Sequence, residues 1–204
     1  MSKAEKTRQF IIEKTAALFN TKGYLSTSLS DITEATGLTK GSIYGNFENK
    51  DEVALAVFQY NYGMLRRHMQ QVMKEEYPSV SDQLYALVSF YSNHWPLVFK
   101  TGGCPLMNAA TEADDTFPAL SSQVKSSFES WIATITEIIR SGQEKDEFSS
   151  TIDAEEYASL AVTLIEGGIL LSKTTGNEKH LHHALDRVLK LITEIQKNSY
   201  QYHG

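Results

Sequence analysis

The stretch TSLSDITEATGLTKGSIYGNFENK, residues 27–50, decides the fold of this chain. Ser28 and Asp31 have the spacing of a helix capping box, in which two side chains satisfy backbone amides at the start of a helix. Gly37 ends that short helix, and Thr39 is a suitable cap for another one directly after it. Within the first helix the positions predicted to face inward are Leu29, Ile32 and Ala35. Two short helices joined by a tight glycine turn are typical of a helix-turn-helix.

The second helix, predicted over residues 40–47, carries the residue types that a DNA recognition helix needs. The apolar anchors for its inner side are Leu38, Ile43 and Phe47. The small residues that would let its backbone approach DNA are Gly41, Ser42 and Gly45. The donors for phosphates and base edges are Thr39, Lys40, Ser42, Tyr44 and Asn46. Lys50 begins the next helix, where its ammonium and the helix N-terminus can both meet a phosphate. The same pattern also fits an ordinary helical subdomain, so on its own it leaves DNA binding open.

The rest of the chain has apolar residues at helical spacing and no β pattern of any length. An initial helix is predicted to end at Gly23, and Asp153 and Asn177 are plausible caps further on. The later helices are predicted over residues 50–76, 81–100, a short stretch from 105, 119–145, 154–174 and 177–197. We therefore expect an all-α fold of about nine helices. The predicted division is a helix-turn-helix domain over residues 1–49 and a larger helical domain over residues 50–204.

Charge and composition set limits on function and location. The net charge is −6, but residues 1–50 contribute +2 and the remainder −8, which suits a small basic head on an acidic body. A single cysteine excludes an intramolecular disulfide framework, and the N-terminus lacks the apolar core of a secretion signal. The longest apolar runs are too short to span a bilayer. These features predict a cytoplasmic protein with no membrane association.

Residues 27–50 also match a known family pattern. The matching positions are Thr27, Ile32, Gly37, Leu38, Thr39, Gly41, Ile43, Tyr44, Phe47 and Lys50, preceded by Phe19, Gly23 and Tyr24. In these residues the stretch resembles the N-terminal domain of the TetR/AcrR family of bacterial transcriptional regulators. Asn46 departs from the usual histidine of that pattern. Because both side chains can donate to a phosphate or a base, we expect an altered operator preference rather than lost binding.

The resemblance implies a transcriptional regulator, usually a repressor, that binds a palindromic operator in double-stranded DNA. The residues that we expect to contact DNA are Thr27, Ser28, Thr39, Lys40, Gly41, Ser42, Tyr44, Asn46 and Lys50. Ser42 and Asn46 are the expected base readers, and Lys40, Tyr44 and Lys50 the expected phosphate contacts. Two recognition helices in a dimer would then read half-sites about 34–36 Å apart.

The resemblance further implies that residues 50–204 form a homodimer through the last two helices. The apolar positions that such a bundle needs are Leu160, Leu164, Ile165, Gly168 and Leu171 in one helix, and Leu181, Leu185, Val188, Leu191, Ile192 and Ile195 in the other. Gly167 and Gly168 would permit close approach of helices. The alternative is that these residues form only the core of a monomer.

A small-molecule inducer is also implied, and the middle of the chain is rich in aromatic residues with polar groups between them, as in a ligand pocket. The residues predicted to contact this ligand are Tyr62, Tyr91, Trp95, Cys104, Met107, Asn108, Glu112 and Trp131. The alternative interpretation is an ordinary aromatic core, which is the commoner origin of aromatic residues at helical spacing.

Cys104 supports a second hypothesis, a thiol-based sensor regulator that responds to electrophiles or oxidants. It directly precedes a predicted helix, a position that lowers a thiol's pKa. The spacing from Cys104 to Glu112 resembles a TetR-family branch that includes such sensors, in which a lysine near the position of Lys173 can assist the thiolate. The alternative is a small buried apolar residue.

The sequence gives little support to other kinds of function. We find no nucleophile–base pattern, phosphate loop or metal-ligand spacing, so no catalytic residue, metal or cofactor is expected. His180, His182 and His183 lie close together but lack a nearby cysteine or carboxylate to complete a metal site, and we interpret them as a solvated face. A helical interaction module whose head has lost DNA binding remains an alternative, supported by Asn46 and the low positive charge.

Overall fold

The computed structural model describes residues 1–113 and 116–197, and this described part contains nine α-helices. They are α1 (Lys3–Lys22), α2 (Leu29–Thr36), α3 (Lys40–Tyr44), α4 (Lys50–Val72), α5 (Val80–Lys100), α6 (Pro105–Ala113), α7 (Pro118–Glu144), α8 (Ala154–Thr175) and α9 (Lys179–Glu194). An isolated antiparallel bridge joins Phe148 and Gln196. The predicted all-α fold with an N-terminal helix-turn-helix is confirmed.

Two compact units make up the chain. The first unit comprises residues 1–64 and 100–126, and the second unit comprises residues 65–99 and 127–204. The first unit therefore holds α1, α2, α3, the start of α4 and all of α6. This division joins residues 50–64 to the helix-turn-helix. The domain boundary predicted between residues 49 and 50 stays a prediction.

In the first unit, α1 is defined by caps at both of its ends. Ser2 accepts a hydrogen bond from the Glu5 amide while the Glu5 carboxylate accepts one from the Ser2 amide. Gly23 ends the helix with a φ of 109°, a conformation that L side chains rarely adopt. Tyr24 follows and packs between the rings of Phe19 and Phe58, and its burial raises the pKa of its hydroxyl well above the ordinary value.

The two short helices of the turn motif are present, but α3 ends at Tyr44 rather than at residue 47, with Gly45 as its C-cap. Ser28 and Asp31 make the capping box of α2, and Gly37 closes it in the left-handed conformation with a φ of 70°. Thr39 caps α3 by accepting a hydrogen bond from the Ser42 amide. The prediction that Ala35 faces inward is wrong: Ala35 is exposed, and Thr36 takes the buried position because its hydroxyl is satisfied by the Ile32 carbonyl.

The second unit differs from the sequence prediction mainly at helix ends. Helix α4 ends at Val72 rather than near residue 76, because the side chain of Gln83 donates to the Val72 carbonyl and so satisfies an acceptor of the last turn. Helix α9 spans Lys179–Glu194, and Asn177 accepts a hydrogen bond from the Lys179 amide just before it. Gly168 allows α8 to approach α9 closely, since a Cβ there would lie 2.7 Å from the Ala184 Cβ.

Candidate nucleic-acid interface and effector site

Helix α3 is anchored on one side and exposed on the other. Ile43 is fully buried and Phe47, just beyond the helix, is 2% exposed, so both hold the helix to the body of the first unit. Lys40 is exposed and Tyr44 retains 47% of its accessible surface, a large fraction for an aromatic side chain. The result is a short helix with a fixed inner side and donors on its outer side, as major-groove readout requires.

Gly41 leaves the backbone on the outer side of α3 without a covering side chain. Its φ is not positive, and a Cβ built on it would meet nothing nearer than the Thr39 hydroxyl oxygen at 3.9 Å. The fold therefore does not need a glycine at this position. The absence of a side chain at position 41 is therefore consistent with the close approach of an external molecule to the backbone.

Ser42 and Asn46, the predicted base readers, are both partly buried. The Asn46 side-chain nitrogen donates to the Ser42 carbonyl at 2.8 Å, and the Asn46 carbonyl accepts a hydrogen bond from Arg8 at 2.7 Å. The Asn46 side chain is therefore held against α3, and Arg8 holds the Asn46 backbone. Arg8 was missed by sequence reasoning because it lies 38 residues away, and only its charge would have been a signal.

Lys50 lies at the N-terminus of α4, as predicted, and also has a partner inside the protein. Its Nζ donates to the Leu25 carbonyl at 2.8 Å. An ammonium group has three donors, so this contact leaves capacity for a phosphate. Leu25 is also linked to α6, because its backbone amide donates to the Glu112 carboxylate at 3.0 Å.

Of the two predicted DNA contacts just before α2, one is exposed and the other is buried. Ser28 is exposed, whereas Thr27 is fully buried and donates to the Gly23 carbonyl at 2.6 Å. This burial favours a structural role for Thr27 over the predicted DNA contact. Asp31 lies beside Lys22 at 2.6 Å, and hydrogen bonds from Lys22 and Ser28 hold the pKa of its carboxyl well below the ordinary value.

The second unit contains an apolar cavity between α5, α7, α8 and α9. The cavity has a volume of about 30 Å³. The aromatic residues in its wall include Tyr91 and Trp131, whose stacked rings have centroids 5.8 Å apart. Among the residues that the structure describes, none with a charged side chain lines it. The walls also carry Ala161 of α8 and aliphatic residues of all four helices.

The predicted ligand contacts are distributed over both units, and whether they bind a ligand stays a prediction. Tyr91 and Trp131 line the cavity of the second unit; Trp95 packs edge-on against Phe99 in α5. The predicted residues that belong to the first unit are Tyr62, Cys104, Met107, Asn108 and Glu112. Asn108 donates to the Asn20 carbonyl at 3.0 Å and to the Gly102 carbonyl at 2.8 Å, so it fastens α6 to the end of α1.

Cys104 is buried, with 4% of its surface exposed, at the position just before α6. Lys173 is exposed in the last turn of α8. Among residues 1–113 and 116–197, no group of three or more histidine, cysteine, aspartate or glutamate side chains could hold a metal ion.

Helix α8 carries an apolar outer side as well as an inner one. Ile165 and Gly168 are buried within the subunit, as are all six α9 positions predicted for the dimer bundle. Three leucines on α8 are exposed: Leu160 (42%), Leu170 (48%) and Leu171 (50%). Nothing lies within 4 Å of a Cβ built on Gly167. Sequence reasoning did not separate these two sides, because both are apolar.

Comparison with known proteins identifies the family. Residues 11–57 match the family described as bacterial regulatory proteins, tetR family, and residues 81–188 match the tetracyclin repressor-like C-terminal domain. The chain belongs to the TetR family. A TetR-family regulator from Cytophaga hutchinsonii, 40% identical, superposes over 97% of this chain and 98% of its own with a TM-score of 0.87. Another from Chloroflexus aurantiacus is 32% identical over 96% and 98% of the two chains, with a TM-score of 0.86.

A further similar protein is the HTH-type transcriptional repressor DhaR of Mycobacterium sp. (strain GP1), 24% identical over 194 residues and 94% of either chain. TetR-family proteins are DNA-binding transcriptional regulators rather than enzymes, so the predictions of family and of a non-enzymatic role are confirmed. Dimerisation and a response to small molecules are typical of the family. In the part of the chain that the structure describes, the helices are too short or too polar to cross a membrane.

Proposed function

We propose that this TetR-family protein is a cytoplasmic repressor that binds a palindromic operator as a dimer and leaves it when an uncharged small molecule binds. The observation that carries the DNA-binding part is the geometry of α3. The buried side chains of Ile43 and Phe47 fix its inner side. On its outer side Lys40 and Tyr44 offer hydrogen-bond donors, and Gly41 leaves the backbone accessible. That the protein represses rather than activates transcription is inferred from relatives such as the repressor DhaR.

The exposed side of α8 supports dimerisation through this helix. Leu160, Leu164, Gly167 and Leu171 follow one another at helical spacing, and two of the three leucines are more than 40% exposed in the single subunit. An exposed apolar stripe of this kind is a common mark of a protein interface. The apolar positions of α9 have a different role in this proposal, since they are already buried within the subunit.

The cavity of the second unit supports an uncharged, apolar effector. A charged ligand would have to give up its hydration there without a partner of opposite charge, because the described residues that form the walls are all uncharged. The cavity is also far smaller than the several hundred cubic ångströms of a typical ligand site. An effector must therefore move the surrounding helices as it enters, which couples its binding to a change of conformation.

A thiol sensor is the second candidate. The position of Cys104 directly before α6 supports it, since a helix N-terminus stabilises a thiolate. Its burial favours the alternative interpretation, a small apolar side chain in the interior. Mass spectrometry after mild treatment with a quinone separates the two. No adduct at Cys104, or an adduct that leaves DNA affinity unchanged, removes this candidate.

The operator-binding proposal is tested by selecting DNA from a random duplex pool with the full-length protein. We expect enrichment of a palindrome, and binding that weakens steeply as salt concentration rises. Substitution of Tyr44 or Lys40 by alanine should reduce affinity for the selected duplex at least tenfold. If no duplex is enriched at low salt, the proposal is wrong.

A further inference from the structure

Arg8 of α1 contacts the junction between α3 and α4 in three ways. Its Nη1 donates to the Asn46 carbonyl at 2.7 Å, and its Nη2 forms an ion pair with Glu52 Oε1 at 2.7 Å. Its guanidinium carbon lies 4.0 Å from the centroid of the Phe47 ring. A planar guanidinium can make these contacts together, because its N–H groups lie in one plane and its face is available to an aromatic ring.

The groups that Arg8 contacts are themselves held in place. The second carboxylate oxygen of Glu52 accepts a hydrogen bond from the Glu48 amide at 2.6 Å, and the Glu52 amide donates to Asn49 at 2.8 Å. Phe47 is buried. The segment from Asn46 to Glu52 is therefore fixed at several points, and Arg8 ties this segment to α1.

Helix α3 is short, so contacts beyond its ends contribute to its direction in addition to the buried Ile43. It contains five residues, and its C-terminal glycine, Gly45, is in the right-handed conformation rather than in a left-handed cap. A helix this short has few internal hydrogen bonds to define its axis. Its orientation therefore depends on the residues that follow it as well as on Ile43, and Arg8 contacts those following residues.

We propose that Arg8 is a positioning residue for DNA recognition, which orients α3 through Asn46, Phe47 and Glu52 and is not a phosphate contact. This inference rests on the proposed role of α3 in reading DNA. Judged by its charge alone, Arg8 would be counted among the groups that attract the DNA backbone. Glu52 gains a role as well, although its negative charge by itself would repel DNA.

The opposite signs of Arg8 and Glu52 give a sharp test. If Arg8 acts by charge, loss of Arg8 weakens binding to every duplex and lowers the salt dependence by about one unit, whereas loss of the Glu52 charge strengthens binding. If Arg8 acts by positioning, both losses weaken recognition of the selected sequence in particular. Glu52→Gln keeps the side-chain shape but replaces one carboxylate oxygen by an NH2 group. Since Arg8 and the Glu48 amide use different oxygens of Glu52, one of these two donors then faces another donor.

The experiment measures affinities of wild type, Arg8→Ala, Arg8→Lys and Glu52→Gln for two duplexes over a series of salt concentrations. One duplex is the sequence that the wild-type protein selects from a random pool, and the other is its scrambled version. Lys6→Ala is the control, an exposed cation on the same helix. Thermal unfolding of each variant establishes that it is folded at the assay temperature.

We expect Arg8→Ala to lower the ratio of selected to scrambled affinity at least tenfold, and Glu52→Gln at least threefold, with unchanged salt dependence. Arg8→Lys should not restore the ratio, because an ammonium cannot reproduce the planar contacts. An equal loss for both duplexes with a smaller salt dependence would overturn the inference, as would tighter binding by Glu52→Gln. If the wild-type protein selects no duplex, the proposed function fails and this inference fails with it.

Discussion

Glu112 in α6 accepts a hydrogen bond from the backbone amide of Leu25, 87 residues earlier in the chain, at 3.0 Å. Leu25 lies in the turn between α1 and α2, and its carbonyl accepts a second hydrogen bond from Lys50. Both polar groups of one peptide residue are thus held by side chains from two other helices. Gly23 makes room for this arrangement, since a Cβ there would lie 2.6 Å from a Glu112 carboxylate oxygen.

Removal of the Glu112 carboxylate is expected to weaken the first unit and its DNA binding together. Glu112→Ala removes the acceptor of the exposed Leu25 amide, which should lower the free energy of unfolding by about 0.5–1.5 kcal/mol. Affinity for the selected duplex should fall as well, because Lys50 is bound to the same residue. Chemical denaturation and DNA titration measure the two effects. Thr111→Ala, an exposed neighbour in α6, is the control and should change neither.

Gly41→Ala is expected to separate folding from DNA binding. The added methyl group meets nothing nearer than 3.9 Å within the protein, so stability should stay unchanged or rise by up to about 1 kcal/mol. Affinity for the selected duplex should fall at least tenfold, because the methyl group projects from the outer side of α3. Thr21→Ala, an exposed position on α1, serves as the control. Undiminished affinity in Gly41→Ala would contradict the proposed docking of α3.

The exposed stripe of α8 predicts the effect of a charge in the dimer interface. Leu171→Glu should raise the dimer dissociation constant at least a hundredfold, about 2.7 kcal/mol, because dimerisation would bury an unpaired carboxylate. Sedimentation velocity over a dilution series measures this change. Leu189→Glu provides a comparison on α9, where an exposed leucine lies outside the stripe. Dimers that persist equally in both variants would exclude this side of α8.

The apolar cavity predicts which probe molecules the second unit accepts. Toluene should raise the melting temperature and alter the emission of Trp131 in a Trp95→Phe background, whereas benzoate at the same concentration should do neither. Ala161→Leu fills part of the space and should abolish the response to toluene. Stronger stabilisation by benzoate than by toluene would contradict the proposal of an uncharged effector.

Asp31 predicts a pH-dependent contribution to the stability of the first unit. Hydrogen bonds from Lys22 and Ser28 depress the pKa of its carboxyl in the folded state, so its stabilising effect is present above the unfolded value of about 3.9 and is lost as pH falls below it. Asp31→Asn should therefore melt below wild type at pH 7. The two melting curves should converge as the pH falls below 4. A difference that grows on acidification would contradict this assignment.

Local features of the fold were predictable because their causes are local. Ser28, Thr39 and Asp153 cap helices through atoms only two or three residues away, and Gly23 and Gly37 end helices by their own backbone conformations. The apolar periodicity of a helix likewise depends on neighbouring residues only. Helix number and order follow from these signals.

Tertiary partners were not predictable, since the groups that meet are far apart in sequence. Nothing near Arg8 indicates that Asn46 and Glu52 will surround it, and nothing near Leu25 points to Glu112. Periodicity also could not divide the leucines of α8 between an inner and an outer side, because apolar residues lie on both sides of this helix. Thr36 shows the same limit on a smaller scale, with a polar side chain that is buried once its hydroxyl finds a carbonyl.

Gly167 and Gly168 are adjacent in α8 yet face different surroundings. A side chain at position 168 would collide with α9, whereas one at position 167 would enter open space. Substitutions at position 168 are therefore penalised by folding itself, in every copy of the protein. Position 167 is open to change without such a penalty, and in our proposal it faces the second subunit. A duplicated copy of this gene could thus acquire its own pairing preference by single substitutions there, and two sister regulators could stop forming mixed dimers while each kept its fold.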